Sequence, residues 1–417
     1  MMLFTLYCRL FQGVFKLVSP FLAWREPELL EGPGSLLGLP ALLKREGIGR
    51  VLIVTDQGIV KLGLMEPLLR ELTKKAIVFF VYDGTIPNPT IANIESALCI
   101  YKENNCQGIL AFGGGSPMDC AKGVGARVAR PRKPVSKMKG LLKVGRRLPP
   151  LFAVPTTAGT GSEATLAAVI SNPLTHEKYP INDHALIPHF AVLDPLLTLK
   201  LPPHITSTTG MDALTHAVEA YIGRSSTKET ERDSIEAVRL IMECLPAVYR
   251  DGSDVEGRGK LLRAAYLAGK AFTRAYVGYV HAMAHTLGGF YSVPHGLANS
   301  VILPHALEYY GESAHKRLAL LARKAGLIDA SLSDEAAAQA FIARIKAMNK
   351  EMAIPLHIEG IKERDLPLMV RRALAEANPL YPVPRILGHV ELTQLFAIVG
   401  GRAGGASGEG DDEGEAA

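Results

Sequence analysis

The chain has 417 residues, a length that is long for one domain but comfortable for two. Apolar residues make up 48% of it and charged residues 21%, which is ordinary for a soluble protein with well-packed cores. The net charge of +5 is too small to indicate a nucleic-acid partner, and the sequence contains no zinc-finger spacing or RNA-binding signature. The five cysteines are odd in number and form no C-x-x-C pair, which fits reduced thiols and a cytoplasmic location.

Residues 1–27 are predicted to contain an N-terminal amphipathic helix. Apolar residues recur there at roughly helical spacing, and Arg9 and Lys16 are the only charged residues before Arg25. The run is too interrupted for a membrane span and has no signal-peptide cleavage site. A basic amphipathic helix can lie in a membrane interface. The favoured alternative is a helix that packs on its own chain or on a partner subunit.

From residue 28 to about residue 200 the pattern alternates between buried strands and helices. After a turn at Glu31–Ser35, continuous apolar runs cover Arg50–Asp56, Ala76–Gly84 and Gln107–Phe112, with helical segments between them. Strands that are apolar throughout are typical of parallel sheets covered by helices on both faces. We therefore predict a doubly wound parallel-sheet α/β domain over 28–200.

Two loops of this domain have the composition of phosphate-binding turns. The third strand runs directly into Gly113–Asp119 (G-G-G-S-P-M-D) and a helix, so glycines and free helix N–H groups meet at the carboxyl end of a strand. A second loop of small residues follows the apolar run that begins at Leu151. Its hydroxyl side chains are Thr156, Thr157, Thr160 and Ser162. Such glycines are often only a tight corner, but two loops together favour a dinucleotide.

A block of basic residues lies between the two loops. Residues 121–150 contain ten Lys or Arg and no acidic residue. The block can attract an anionic partner, although most charge runs are solvated loops and no aromatic residues interleave here to stack bases.

From residue 201 to about residue 399 the patterns are helical, which predicts a second, all-helical domain. His281 and His285 share one helix face, as do Asp212 and His216, because each pair is four residues apart. Gly288 and Gly289 are expected to turn the chain before a third imidazole at His295. A single such pair is usually core packing or surface chemistry, and Asp212 can equally cap a helix after Gly210.

The two pairs and the Pro294–His295 corner together favour one divalent cation. Imidazole and carboxylate ligands suit Fe²⁺ or Zn²⁺. Residues 400–417 are rich in Gly and acidic residues, and we expect this tail to be disordered.

These motifs together resemble the iron-containing (group III) alcohol dehydrogenase family over roughly residues 28–375. The matching stretches are V-T-D at Val54–Asp56, P-N-P-T at Pro87–Thr90, G-G-G-S-P-M-D at Gly113–Asp119, P-T-T-A-G-T-G-S-E at Pro155–Glu163, G-M-D-A-L-T-H-A-V-E at Gly210–Glu219, and H-A-M-A-H-T-L-G-G-F-Y-S-V-P-H-G at His281–Gly296. The resemblance implies a dehydroquinate synthase-like α/β domain followed by the helical metal-binding domain.

The resemblance also implies roles for individual residues. The metal ligands would be Asp212, His216, His281 and His295, with His285 beside the metal as a proton relay or substrate contact. NAD would bind Gly113, Gly114, Gly115, Ser116, Asn88, Asp119, Thr156, Thr157, Thr160 and Ser162, with Lys178 on the nicotinamide side and Asp56 on the adenine ribose 2′-hydroxyl. Without the resemblance, Asp83 is an equal candidate for the ribose contact.

Three features depart from the family pattern. Ala167 stands where a polar residue is often found, the N-terminal helix is longer than a minimal family member needs, and the acidic tail follows where a final helix usually completes the domain. None of these departures touches the expected metal ligands.

The implied function is hydride transfer between NAD and a primary or small alcohol, or its aldehyde, by a homo-oligomer such as a homodimer. Two alternatives remain at this point. One is a metal enzyme of the same fold and another specificity, either glycerol dehydrogenase-like or a cyclising synthase with a more basic pocket. The other is a membrane-associated interaction protein that uses residues 1–24 and the basic block.

Overall fold

A central parallel sheet organises the first half of the molecule. The computed structural model describes residues 2–19, 22, 24–172 and 177–402. Six strands, β1 (Glu28–Glu31), β2 (Arg50–Val54), β3 (Val78–Tyr82), β4 (Gly108–Gly113), β6 (Leu151–Pro155) and β9 (Phe190–Leu193), pair in the order β1-β9-β6-β4-β2-β3. Every pairing in this sheet is parallel. The predicted doubly wound α/β architecture is confirmed.

Helices cover both faces of the sheet, which explains why its strands are apolar throughout. These helices are α2 (Leu39–Arg45), α3 (Gln57–Lys61), α4 (Glu66–Lys74), α5 (Ile91–Glu103) and α6 (Gly115–Ala129). The strand side chains belong to two hydrophobic clusters, one on each face of the sheet. Leu52 and Ile109 lie in one cluster, and Ile53 and Leu110 lie in the other. The carboxyl ends of β4 and β6 therefore lie at one edge of a sheet that is packed on both faces.

The sequence analysis missed a second, three-stranded sheet. It consists of β5 (Gly140–Leu141), β7 (Ala167–Asn172) and β8 (Glu177–Asn182), in the order β5-β8-β7. β7 and β8 are antiparallel neighbours. This sheet contacts α6 and brings Lys178 toward the helical half.

Between residues 201 and 402, the regular elements of the second half of the molecule are all helices. Its helices are α7 (Pro203–Ile222), α8 (Lys228–Arg250), α9 (Val255–Ala275), α10 (Tyr279–Tyr291), α11 (His295–Tyr310), α12 (Glu312–Lys324), α13 (Asp334–Glu351), α14 (Leu366–Ala377) and α15 (His389–Val399). They enclose one large hydrophobic cluster. The expected helical domain is confirmed.

Three local expectations were wrong. Gly288 and Gly289 lie inside α10, and the chain turns instead at Ser292, which has left-handed backbone geometry with φ of 55°. Asp212 does not cap a helix, because α7 begins nine residues earlier, after Pro202. A closing helix is present: α15 buries Leu392 and Phe396 immediately before the acidic tail. Residues 403–417 of that tail, and its expected disorder, lie outside the described residues.

The N-terminal helix α1 (Met2–Val18) packs on its own chain through its polar side chains. The Arg9 guanidinium donates to the Val383 carbonyl at 2.8 Å, and the Gln12 amide donates to the Tyr381 carbonyl at 2.8 Å. Its opposite face is apolar and exposed: Leu3 is 80% exposed and Leu17 is 74% exposed. Among the described residues, no helix is both long and apolar enough to span a membrane.

Candidate metal and cofactor site

Three helices carry the four residues expected to bind metal. Asp212 and His216 lie one turn apart in the middle of α7, where Asp212 is 2% exposed. His281 lies in the first turn of α10. His295 is the first residue of α11, directly after Pro294, so the α10–α11 connection aims it back toward α7. Residues that are 83 positions apart in the chain thus face one another.

The donor atoms of these residues converge on one point. Ligand atoms of Asp212, His216 and His281 all lie within 4.8 Å of one another. Nε2 of His295 lies 3.7 Å from Oδ1 of Asp212. The amide nitrogen of Asn299 lies 2.6 Å from Asp212 Oδ1, 3.1 Å from His281 Nε2 and 3.2 Å from His295 Nε2, which marks the centre of the cluster.

The donor set fits a first-row divalent cation. Nδ1 of His216 and Nδ1 of His295 are buried and have no hydrogen-bond partner among the described residues. Desolvation, followed by nearby imidazoles, lowers the pKa of both histidines well below the usual range, so both are neutral and offer a lone pair near pH 7. Three imidazoles and one carboxylate suit Fe²⁺ or Zn²⁺.

A second carboxylate, Glu219, orients His281. Its Oε2 lies 2.6 Å from His281 Nδ1, and its Oε1 accepts the Val280 backbone N–H at 2.9 Å. Burial alone would lower the pKa of His281, but the hydrogen bond and charge of Glu219 raise it. With Nδ1 committed to Glu219, Nε2 of His281 is the nitrogen that faces Asp212, at 3.8 Å.

His285 has a different partner. Its Nδ1 lies 2.7 Å from Oε1 of Glu376 on α14, and the Tyr381 hydroxyl donates to the same oxygen at 2.9 Å. The ring of His285 stacks on that of His295, with 5.1 Å between centroids. His285 therefore stands beside the cluster and is tied to a carboxylate of its own.

The glycine-rich loop after β4 has a backbone geometry and packing that leave no room for a side chain at Gly113. Gly113 has φ of +150°, and a Cβ added there would lie 2.6 Å from Cγ of Pro117 at the start of α6. Asn88 joins this loop, since its backbone N–H donates to the Ser116 hydroxyl at 3.3 Å. The loop thus presents main-chain groups and one hydroxyl at a helix start.

The second loop, after β6, is joined both to the first loop and to the helical half. Gly161 has φ of +59°, and a Cβ there would lie 2.6 Å from the Ala265 carbonyl oxygen on α9. Thr156 donates its backbone N–H to the Gly113 carbonyl at 3.1 Å. The contact at Gly161 packs the second loop directly against α9, which in turn packs on α7.

Two residues expected to contact cofactor also form hydrogen bonds within the protein. The Ser162 hydroxyl donates to Asp119 Oδ1 at 3.0 Å, and Asp119 Oδ2 accepts the Val169 backbone N–H at 3.0 Å. The completely buried ammonium of Lys122 donates to the Ser162 hydroxyl at 3.0 Å and to Thr165 and Ala167 oxygens. Lys122 belongs to the basic block, so part of that block is internal structure.

Asp56 lies between β2 and α3, two residues after the last residue of β2. Its Oδ1 caps α3 by accepting the Ile59 backbone N–H at 3.0 Å. This cap uses one carboxylate oxygen and leaves the other available.

One cavity of about 240 Å³ joins the two halves of the site. The expected site residues that line it are Asn88, Gly115, Ser116, Asp119, Thr160, Ser162, Lys178, Asp212, His216, His281, His285 and His295. Gly113, Gly114, Thr156, Thr157 and Asp56 do not line it. Lys178 is the only Lys or Arg among the described residues of the lining, so the basic pocket expected of a cyclising synthase is not found there.

Sequence reasoning missed Glu219, Asn299 and Glu376. Two of them carry a spacing signal, because Glu219 follows Asp212 by seven residues and Asn299 follows His295 by four, which places each pair on one helix face. Glu376 carries no such signal, since it comes from a helix 91 residues beyond His285.

An α/β domain whose phosphate-type loops share a cavity with a buried imidazole–carboxylate cluster fits a metal-dependent oxidoreductase. The family model described as iron-containing alcohol dehydrogenase matches residues 27–195, and the model of the C-terminal part of that family matches residues 206–398. The chain belongs to the iron-containing alcohol dehydrogenase family.

Relatives and solved structures agree with this assignment. The chain is 38% identical to alcohol dehydrogenase 4 of Schizosaccharomyces pombe over 375 residues, which is 88% of this chain and 86% of that protein. The crystal structure of a 1,3-propanediol oxidoreductase superposes with a TM-score of 0.86 at 36% identity, covering 90% of this chain and 99% of the other. A sulfoacetaldehyde reductase from Bifidobacterium kashiwanohense in complex with NAD⁺ superposes with a TM-score of 0.79 at 25% identity, covering 90% and 98%.

Proposed function

We propose that this enzyme oxidises primary alcohols and reduces the corresponding aldehydes with NAD, using Fe²⁺ held by Asp212, His216, His281 and His295. The observation that carries the proposal is the single cavity lined by these four residues, by His285 and by the glycine-rich loop residues Gly115 and Ser116. A hydride donor and acceptor must meet in one enclosed space, and this cavity provides it.

Fe²⁺ bound by these residues would supply Lewis acidity, which would lower the pKa of an alcohol hydroxyl and polarise an aldehyde carbonyl. Glu219 holds His281 by its Nδ1, so the imidazole offers Nε2 toward Asp212. Neutral His216 and His295 complete the set. The Asn299 amide, which lies between the donor atoms of Asp212, His281 and His295, would have to turn aside when the metal binds.

His285 is assigned to proton transfer or substrate orientation. Glu376 holds its Nδ1, which leaves Nε2 as the atom that takes a proton from the substrate side or returns it. Since a fifth protein ligand would occupy the substrate position, His285 is better placed beside the metal than on it.

The cofactor is assigned to the loops after β4 and β6. Pyrophosphate would bind the main chain of Gly113–Ser116 with the N-terminus of α6, and Lys178 would lie on the nicotinamide side. Asp56 would accept the ribose 2′-hydroxyl with the oxygen that does not cap α3 and would repel the 2′-phosphate of NADP. We place the α/β domain at 28–200 and the helical domain at 201–399.

We further infer a cytoplasmic homo-oligomer, such as a homodimer. All five cysteines are free, which suits a reducing compartment. The exposed apolar face of α1 suits burial against a second subunit, with a membrane interface as the less favoured partner.

The test is to load purified protein with Fe²⁺ or Zn²⁺ and to measure NADH formation with a panel of primary alcohols. Turnover that requires both metal and NAD supports the proposal. Metal bound without any NAD-linked turnover, with alcohols or with aldehydes and NADH, would contradict it.

A further inference from the structure

The cavity has a wall that neither the metal ligands nor the cofactor loops provide. Phe15, Leu22 and Trp24 line it, and all three precede residue 27, where the family match begins. Other apolar side chains continue this wall: Leu142 after β5, Val277 between α9 and α10, and Leu380 after α14. We call the described residues of this stretch, 2–19, 22 and 24–26, the N-terminal segment.

The N-terminal segment is fastened beside the reacting end of the cavity. The Gln12 amide donates to the carbonyls of Pro379 and Tyr381, at 3.0 and 2.8 Å, and Gln12 is only 5% exposed. The hydroxyl of the same Tyr381 donates to Glu376, which in turn holds His285. The segment is therefore connected to His285 through Tyr381 and Glu376.

The aromatic side chains of the segment are also held in place. Phe15 stacks on Phe11 with 5.1 Å between ring centroids. The Trp24 indole N–H donates to the Ser19 carbonyl at 2.7 Å, and its ring packs edge-on against His184 at 4.4 Å. With its only N–H used internally, Trp24 offers an apolar surface to the cavity.

The carboxylate of Asp183, which also lines the cavity, is hydrogen-bonded within the protein. Asp183 accepts the backbone N–H groups of Val144 and Gly145, both at 2.9 Å, and that of Ala185 at 3.0 Å. Three of its acceptor positions are therefore taken by main-chain donors, and Asp183 is only 3% exposed, so little of this carboxylate is left for the second hydroxyl of a polyol.

We infer that the N-terminal segment forms the binding wall for the tail of the substrate and selects primary alcohols and aldehydes with an extended apolar chain over short diols. This inference rests on the proposed function and names its substrate class. Each methylene moved from water onto an apolar wall strengthens binding by about fourfold. The same increment acts on kcat/KM if the transition state keeps the contact.

The first test compares kcat/KM for ethanol, 1-butanol, 1-hexanol and 1,3-propanediol with NAD. We expect a rise of about fourfold per methylene up to the length of the cavity, and 1,3-propanediol well below 1-butanol. Phe15→Ala and Trp24→Ala should lower the value for 1-hexanol by about tenfold or more and change that for ethanol by less than about twofold. Phe4→Ala is the matched control, because Phe4 lies on the same helix and is 50% exposed.

The second test does not depend on turnover. Trp24 is the only tryptophan in the chain, so its fluorescence reports on the wall. We expect 6-bromo-1-hexanol to quench it saturably, 3-bromo-1,2-propanediol to quench it no more than it quenches free N-acetyltryptophanamide, and Phe15→Ala to weaken the saturable quenching.

The two tests separate failure of the wall from failure of the chemistry. Saturable quenching without alcohol turnover would support the wall and reject the alcohol dehydrogenase assignment. Turnover that is flat across the alcohol series, or highest with 1,3-propanediol, together with no saturable quenching, would overturn the inference and leave the proposed function in place.

Discussion

The two ends of the cavity are built by different means. At the metal end, polar side chains on three helices meet in the helical core, and partners such as Glu219 and Asn299 hold them in place. At the opposite end, strand-to-helix loops with glycines at their closely packed corners form the site, and we assign the phosphate contacts to their main chain. A substitution at the metal end disrupts the site by removing a donor atom. A substitution of glycine at the loop end disrupts it by adding a side chain where there is no room for one.

This difference implies that the two ends fail independently. Loss of one imidazole removes a donor that no neighbour replaces, while the sheet and its loops stay intact. A Cβ added in the phosphate-type loop displaces the backbone there, while the metal-binding helices are unaffected.

His281→Ala should cause the largest loss. Without Nε2 of His281 the cluster has three donors, so we expect no stoichiometric metal and turnover lower by about 10³-fold or more. NAD affinity should stay within about twofold. Metal analysis and cofactor titration are the measurements, with His357→Ala, an exposed histidine, as the control. Full metal content in His281→Ala would remove His281 from the ligand set.

His285→Ala should separate proton transfer from metal binding. We expect stoichiometric metal and turnover lower by about 10²- to 10⁴-fold, most strongly at the acid end of the alcohol-oxidation profile, where the substrate proton is hardest to remove. Glu376→Gln should show a smaller loss of about 10- to 100-fold, because it only weakens the support of the imidazole. Metal lost together with activity in His285→Ala would make His285 a ligand and displace Asp212 or His295.

Gly113→Ala should produce the opposite pattern to His281→Ala. A Cβ at φ of +150° would lie 2.6 Å from Pro117, so the loop must move before α6. We expect the NAD dissociation constant to rise by about tenfold or more, with metal content unchanged. Gly259→Ala is the matched control, because its Cβ would be no closer than 3.9 Å to a neighbouring side chain. Unchanged NAD affinity would place the pyrophosphate elsewhere.

Asp56→Asn tests cofactor choice more cleanly than removal of the side chain does. The amide oxygen still caps α3, whereas the negative charge that repels a 2′-phosphate is gone. We expect the ratio of NADP to NAD activity to rise by about tenfold. Wild-type protein that already prefers NADP would show that another residue, with Asp83 the first candidate, sets the specificity.

The smallest expected effect is on the free energy of unfolding, through the buried carboxyl of Glu163 in the second loop. Burial raises its pKa from 4.5 to about 7, against the nearby Lys122 charge. The folded state then holds a proton between those values that the unfolded state has lost, so stability falls as the pH rises from about 4.5 through 7, by up to roughly 3 kcal/mol.

Glu163→Gln should remove this dependence. Urea unfolding at pH 5 and pH 8 should give a larger difference in the wild type than in the variant, and the exposed Glu71→Gln should behave as the wild type. An equal pH dependence in all three proteins would mean that Glu163 is ionised throughout.

Local sequence was enough to predict the main features of both ends. Apolar strands, glycines at a strand end and four-residue spacings are short-range signals, because strand and helix geometry repeats within a few residues. They led to the α/β and helical halves, to the loop at Gly113 and to the pairs Asp212–His216 and His281–His285. The family resemblance added the choice of His295 over His285 as a ligand.

Tertiary structure decided the rest. Gly288 and Gly289 remain helical because packing of α10 against α11 and α14 outweighs the intrinsic cost of glycine in a helix. Glu376 reaches His285, and Gln12 reaches Tyr381, only because elements 91 and 369 residues apart meet in the folded chain. No periodic pattern encodes such a meeting, since it depends on how whole helices pack. For that reason the sequence alone determined which chemistry this protein carries, and only the fold decided which side chains support His285 and which residues line the substrate cavity.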